Sequence, residues 1–396
     1  MAVTSTFFFV SELESGQMAQ LLEDKTSVKT VETPTVLVYA PGIRGYFLEE
    51  SDEYVGGREQ QYSQLVPRLQ QNGLEVHAIV YDAPTGVTDV TYHEIRHPDS
   101  RPFTHLSFLR DVTTVFQHTD PDIVLQSGAQ ASTYILRLLS GLRSVPFVFH
   151  WATDADLHGD VVPPKGVGPA LYRACRRRAD LNIVQTQKQA ELIDEPSIVV
   201  PNILDTRIEW KEASGEYVLW LATIEPDKFP KRFVELARAL PHREFRMAGR
   251  ITGPETFQTT IRRQIEATDN ITHVGQIPRE EIPTYLSEGR CLVNTSDYEG
   301  FSNTYLEAAC SKLPVVSLFH DPNNMLEQQH AGIVVDKSPA NLPTAVETMF
   351  DDSMWNQYRS GCEQIVRDHE PEPIVQSFSE ALRELTTETP NNIAAQ

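Results

Sequence analysis

At 396 residues the chain is longer than one ordinary core organises, and two domains are expected, each able to bury a core of its own. Apolar residues make up 40% and charged residues 22%, which is globular usage, and no apolar run approaches the roughly 20 residues of a membrane span. The formal net charge of -21, with 9 lysines against 25 arginines, argues against nucleic acid as a partner, because phosphate binding needs a basic face. High salt screens the self-repulsion of such a surface, with a Debye length of ~3 Å at 1 M, so the composition points to a halophile's cytoplasm.

The chain opens with MAVTSTFFFVSELESG, whose apolar run covers only residues 7–10 and has no basic region before it. It does not read as a secretory signal, and a cytoplasmic location is expected. Residues 1–33 are polar and unpatterned and form an amino-terminal extension. β-Rich runs then alternate with helical patterns: TVLVYA (35–40), EVHAIVY (75–81), DIVLQ (122–126), PFVFH (146–150), LNIVQT (181–186) and SIVVPN (197–202). Near-continuous apolar strands alternating with helices indicate a parallel sheet covered on both faces. After PNILDTRIEWKEASGE the pattern restarts with YVLWLA (217–222), EFRMAG (244–249), NITHVG (270–275), CLVNTS (291–296), PVVSLF (314–319) and GIVVD (332–336). The division expected is a first α/β domain over 34–204, a second over 205–370, and a terminal helix and tail over 371–396. Two doubly wound domains facing each other leave a cleft at the carboxyl ends of their strands, where ligands of such sheets bind. Cys175, Cys291, Cys310 and Cys362 show no paired spacing, so neither a disulfide framework nor a zinc site is expected.

The stretch SDYEGFSNTYLEAA, residues 296–309, sets Glu299 and Glu307 eight positions apart. CLVNTS reads as a buried strand, DYEG as the turn after it, and SNTYLEAACS as a helix that Ser302 or Asn303 caps. Backbone N–H groups from Gly300 to Asn303 then point out of a helix N-terminus, where the dipole favours an anion such as a diphosphate, and Gly300 lets that backbone come close. Glu307, about one turn inside the helix, is placed to accept two hydrogen bonds from a vicinal diol such as a ribose, and Glu299 to do the same for a sugar. An anion site flanked by two diol acceptors describes a sugar nucleotide. The plain alternative is a pair of solvated acids favoured by the dipole.

The run VNTSDYEGFSNTYLEAACSKLPVV resembles the E-x7-E signature of retaining glycosyltransferases of the two-domain GT-B architecture, particularly glycosyltransferase family 4. VLWLATIEPDKFPKRFVELARALP, NITHVGQIPREEIPTYLS and DPNNMLEQQHAGIVV continue the likeness, and GGREQQYSQLVPRLQQNGLEV and RRRADLNIVQTQKQAELI extend it more loosely into the first half. The resemblance implies a GT-B fold of two Rossmann-like domains facing a central cleft, with the acceptor on the first and the donor on the second. It implies that Glu299 contacts the donor sugar, Glu307 the ribose, and the backbone of Phe301, Ser302, Asn303 and Thr304 the phosphates. Lys228 falls where the family places a lysine on the leaving diphosphate, and Thr223 stands where the family has an arginine, so Lys231 or Arg232 is the candidate replacement. Gly56 and Gly57 match the family's glycine-rich loop, though a glycine pair is also ordinary turn punctuation.

The resemblance further implies a retaining transfer of a hexose from a nucleoside diphosphate sugar to a saccharide or lipid-linked acceptor hydroxyl, with no cofactor and no obligatory metal. The leaving phosphate itself takes the acceptor's proton on that account. A catalytically impaired nucleotide-sugar binder is the alternative, kept open by Thr223. At the end of the PFVFH strand, His150, Asp154, Asp156 and His158 are candidates for positioning donor or acceptor, His150 and Asp154 foremost. The Asp154-x-Asp156 pair also offers two oxygen ligands for Mg²⁺ or Mn²⁺, a less favoured reading in so acidic a chain. Arg173 and Arg176 to Arg178 form a basic cluster suited to peripheral contact with an anionic membrane, against the plain reading of a solvated helix face.

Overall fold

A computed structural model describes residues 33–43, 57–81, 89–96, 104–128, 132–151, 179–296, 300–335 and 338–387. The chain divides into two compact units, Met1–Ile203 together with Pro371–Gln396, and Leu204–Glu370.

In the first unit the described elements are β1 (Thr35–Tyr39), α1 (Gly57–Gln71), β2 (Glu75–Val80), β3 (Thr91–Glu94), α2 (Thr104–Thr119), β4 (Ile123–Ser127), α3 (Ser132–Arg143), β5 (Phe147–His150), β6 (Leu181–Val184), α4 (Gln187–Ala190) and β7 (Ser197–Val199). They build a seven-stranded sheet ordered β3-β2-β1-β4-β5-β6-β7, parallel at every pairing. Alternation along β1 shows how the sheet is covered. Val36 and Val38 enter one core with Tyr62, Leu65 and Leu69 of α1, while Leu37 and Tyr39 enter the other with Phe108 and Val112 of α2.

The second unit carries β8 (Tyr217–Leu221), α5 (Pro230–Ala239), β9 (Phe245–Ala248), α6 (Glu255–Glu266), β10 (Ile271–Gly275), α7 (Ile282–Ser287), β11 (Gly289–Asn294), α8 (Asn303–Cys310), β12 (Val315–Ser317), α9 (Met325–Gln328), β13 (Gly332–Val334), α10 (Leu342–Thr348) and α11 (Asp352–Asp368). Its six parallel strands run β10-β9-β8-β11-β12-β13. Helices α5, α6 and α10 cover one face, and α7, α8, α9 and α11 the other. The last helix, α12 (Pro371–Thr387), returns to the first unit: Val375, Phe378 and Leu382 join the core of α1, and Arg383 donates to the Asn72 carbonyl. Each such fully buried side chain contributes about 1.5–3 kcal/mol, so the returning helix is a fixed part of that unit.

The doubly wound parallel sheets expected from the apolar runs are present, every one of those runs contains a strand, and one strand was not expected. β3 reads TYHE, with no apolar run to mark it, because as the sheet's edge it buries little. It is held instead by parallel pairing to β2 and by the His77 and His93 rings, stacked with their Nδ1 and Nε2 2.9 Å apart.

Candidate active site

In both sheets the winding direction reverses between the first strand and the fourth, β1 and β4 in one unit and β8 and β11 in the other. Loops leaving the two strands on either side of such a reversal diverge, opening a crevice at their carboxyl ends where ligands of doubly wound sheets bind. The sequence-predicted donor residues follow β8 and β11.

Beyond β8 the chain makes a 3-10 turn, Pro226–Lys228, and then a left-handed residue, Phe229, at φ 48° and ψ 47°. Pro230 disfavours the right-handed conformation in the residue before it but favours the extended one, so holding Phe229 in the left-handed region costs about 1–3 kcal/mol that its surroundings must supply. Thr295, just past β11, holds this turn in place: the Trp220 indole donates to its hydroxyl at 3.1 Å, and the hydroxyl donates to the Lys228 carbonyl at 2.8 Å. The Lys228 backbone is thereby tied to the residue that follows β11. Gly249, at φ 142°, lets the chain leaving β9 lie against the chain leaving β8, since a Cβ there would lie 1.8 Å from the Ala222 carbonyl oxygen.

At the start of α8, Gly300, Phe301 and Ser302 are buried, with Phe301 packed on His369 at 5.0 Å between ring centroids. Ser302 is the N-cap residue, but its hydroxyl makes no capping bond and instead pairs with the Thr304 hydroxyl at 2.8 Å, while its carbonyl accepts from Tyr305 N–H. Asn303 and Thr304 are half-buried in the first turn, at the positive end of the helix dipole.

Glu307 is buried, with its side chain 6% exposed, and is ion-paired with the guanidinium of Arg279. Arg279 also stands 3.7 Å from Asp205, whose carboxylate accepts from the backbone N–H and guanidinium of Arg207 at 3.0–3.3 Å. Nothing in the spacing of QIPREEIPTY announces that Arg279 reaches a residue 28 positions ahead, and sequence reading missed both it and Asp205. The Cys310 thiol, beside this acidic group, is pushed up to about 12 by burial first and by Glu307 next, so it stays protonated and unreactive.

Lys231 and Arg232 diverge. Lys231 lies on the solvated face of α5, with its ammonium 3.3 Å from Glu235, whereas Arg232 stacks between Phe229 and Phe319 at 4.5 and 4.8 Å from their ring centres. The Arg232 Nη1 is buried with no hydrogen-bond partner among the described residues.

In the first unit, the reversal point forms a small hollow lined by residues that include Tyr39, Gly42, Arg58, Glu59, Tyr62 and Ser127. His150, at the end of β5, is buried, and its Nδ1 lies 2.9 Å from the Tyr62 hydroxyl. Burial, then the Arg58 charge, lowers His150 to about 4, so the ring is neutral at physiological pH. Its Nε2 is buried without a hydrogen-bond partner among the described residues. Gly57 is the first residue of α1, immediately before Arg58. Glu299, Asp154, Asp156, His158, Gly56 and the Arg173 to Arg178 cluster lie outside the described residues. Among the described residues, no group of three or more His, Cys, Asp and Glu is arranged to hold a metal ion, and no helix is long and apolar enough to cross a membrane.

Residues 216–352 match the family described as "Glycosyl transferases group 1", and residues 56–202 match the "Glycosyl transferase 4-like domain". No curated protein matches the chain by sequence. Among solved structures it is similar to sucrose-phosphate synthase from Thermosynechococcus elongatus, at TM-score 0.71 and 15% identity over 89% of this chain and 99% of that one. A glycosyltransferase from Rickettsia africae matches at TM-score 0.70 and 14% identity over 91% and 100% of the two chains. The Anabaena protein HepE in complex with UDP-glucose matches at 0.69 and 15% over 89% and 100%. At these identities the structural likeness establishes the fold, which is GT-B. With both domains matched to glycosyltransferase families, the chain is a GT-B glycosyltransferase.

Proposed function

We propose that the protein is a retaining glycosyltransferase of the family 4 type, moving a hexose from a nucleoside diphosphate sugar to an acceptor hydroxyl. The observation that carries this reading is the winding reversal between β8 and β11, where Thr295 ties the turn of Lys228 to the end of β11, the strand before α8 and its buried Glu307. Lys228 and the N-terminal turn of α8 supply positive charge for a diphosphate, and Glu307 is the acceptor for a ribose diol. Support for the donor class comes from HepE, solved with UDP and with UDP-glucose.

Breaking a glycosyl–phosphate bond builds negative charge on the leaving diphosphate, so fixed cations near it act chiefly in the transition state. Arg232 is the cation we assign beside Lys228 where the family's arginine is replaced by Thr223, its guanidinium held between two phenyl rings. Glu299 is assigned to the donor sugar, and His150, with Asp154, to positioning the sugar or the acceptor. The neutral ring of His150 suits a contact with an uncharged hydroxyl. We assign the acceptor, a saccharide or lipid-linked saccharide, to the first unit and the donor to the second. No metal or other cofactor is required in this reading. The cell interior is the proposed location, with peripheral contact at the membrane through Arg173 and Arg176 to Arg178, in a halophile, as the net charge of -21 supports.

Thr223 favours a second reading, a binder that retains donor affinity without turnover. Incubation with labelled UDP-, GDP- and ADP-sugars in EDTA, with proton NMR of the product's anomeric centre, separates the two. Transfer with the donor's anomeric configuration kept supports the enzyme, whereas a donor protected from hydrolysis with nothing transferred supports the binder.

A further inference from the structure

The group around Glu307 contains a feature that a bare ribose acceptor does not need. Arg279 has its Nη1 on Glu307, but its Nε and Nη2 are buried with no hydrogen-bond partner among the described residues, and the nearest other acid, Asp205, stands 3.7 Å from Nη2. Asp205 is already neutralised by Arg207 through three hydrogen bonds. The charges therefore pair off as Asp205 with Arg207 and Glu307 with Arg279. That leaves the Nε and Nη2 of Arg279 with no hydrogen-bonded acceptor among the described residues, Asp205 standing within ion-pair reach but beyond a hydrogen bond, an arrangement that is costly unless a ligand supplies one. Trp210 lies under the guanidinium at 5.8 Å from its ring centre and limits where it can turn.

We propose that Arg279 is a specificity residue for the ribose of the donor, donating through Nε or Nη2 to the oxygen of the hydroxyl whose proton Glu307 accepts. This rests on the donor reading given above. A hydroxyl is donor and acceptor at once, and a carboxylate and a guanidinium locked together read both halves of it. Neither partner alone can do so, because the carboxylate offers only acceptors and the guanidinium only donors. A ligand lacking the hydroxyl leaves the buried donors of Arg279 unanswered, so the pair rejects deoxyribose more strongly than Glu307 alone would.

The experiment uses the full chain and whichever of UDP, GDP and ADP binds the wild type most tightly by calorimetry, together with its 2′,3′-dideoxy form. The reading is the ratio of the two dissociation constants, which a merely structural role for Arg279 would not move. Wild type should prefer the ribose form by roughly a hundredfold, and Arg279→Met should reduce that preference by roughly tenfold or more while changing affinity for the dideoxy form little. Arg279→Lys, which keeps a donor, should restore part of the preference. Equal loss of affinity for both forms in Arg279→Met, or an unchanged ratio, overturns the proposal while leaving the donor reading intact. Failure of the wild type to bind any of the three diphosphates overturns the donor reading itself.

Discussion

Acidification should weaken the first unit through His150. Its ring is buried against Tyr62, and burial sets its folded-state value at about 4, against 6.5 for the free imidazole. The unfolded chain therefore binds a proton that the folded chain refuses, and stability is lost as pH falls from about 6.5 to about 4. At about 1.4 kcal/mol per pH unit, the full loss is about 3 kcal/mol. Asp321 works in the opposite sense: burial first, against two accepted backbone N–H bonds, pushes its carboxyl up to about 6, so acid favours the folded form there between 6 and 3.8. A difference measurement removes that contribution. Urea unfolding of the wild type and of His150→Gln, followed by circular dichroism from pH 7 to pH 4, should show the wild type's advantage shrinking by about 3 kcal/mol as pH falls. Parallel profiles for the two proteins would refute the reasoning.

Thr295→Val keeps the volume but strands the Trp220 indole N–H and frees the Lys228 turn, so urea midpoints should report a loss of about 1–3 kcal/mol together with weaker diphosphate binding. Unchanged binding would mean that the turn needs no staple. Gly249→Ala forces a Cβ onto the Ala222 carbonyl at an unfavourable φ and should cost on the order of 3 kcal/mol, whereas a variant melting within a degree of wild type would show that the loop simply moves aside. With a net charge of -21, the unfolding midpoint should climb between 0.1 M and 2 M KCl as self-repulsion is screened; a flat or falling midpoint would count against the high-salt reading.

How much could be read in advance depended on how local the cause was. Buried parallel strands announce themselves as apolar runs, so YVLWLA and TVLVYA contain β8 and β1, while TYHE, an edge strand held by pairing and a histidine stack, leaves no such run. The helix start at Asn303 follows from a strand, a glycine turn and an apolar helical pattern in immediate succession, whereas the sequence allows Glu307 to be either a diol acceptor or a solvated acid, and only the structure buries it. Arg279 and Asp205 were illegible because their meaning comes from topology: the fold brings residues 205, 279 and 307 together, and no spacing rule spans those intervals. The Ser302 hydroxyl has two possible partners in sequence, the helix's own N–H groups and Thr304. Only the structure shows that it takes the second.

The central claim is that the crevice after β8 and β11 holds a nucleoside diphosphate by Glu307, Lys228 and the start of α8. Thermal unfolding in high KCl and EDTA, with UDP, GDP and ADP and their sugar conjugates, tests it most directly. A ligand at a hundredfold excess over its dissociation constant adds about 2.7 kcal/mol, which raises the midpoint by several degrees. The account predicts such a rise with one base, without added metal, and its loss in Glu307→Ala. A rise that survives Glu307→Ala undiminished, or none with any nucleotide, would contradict it.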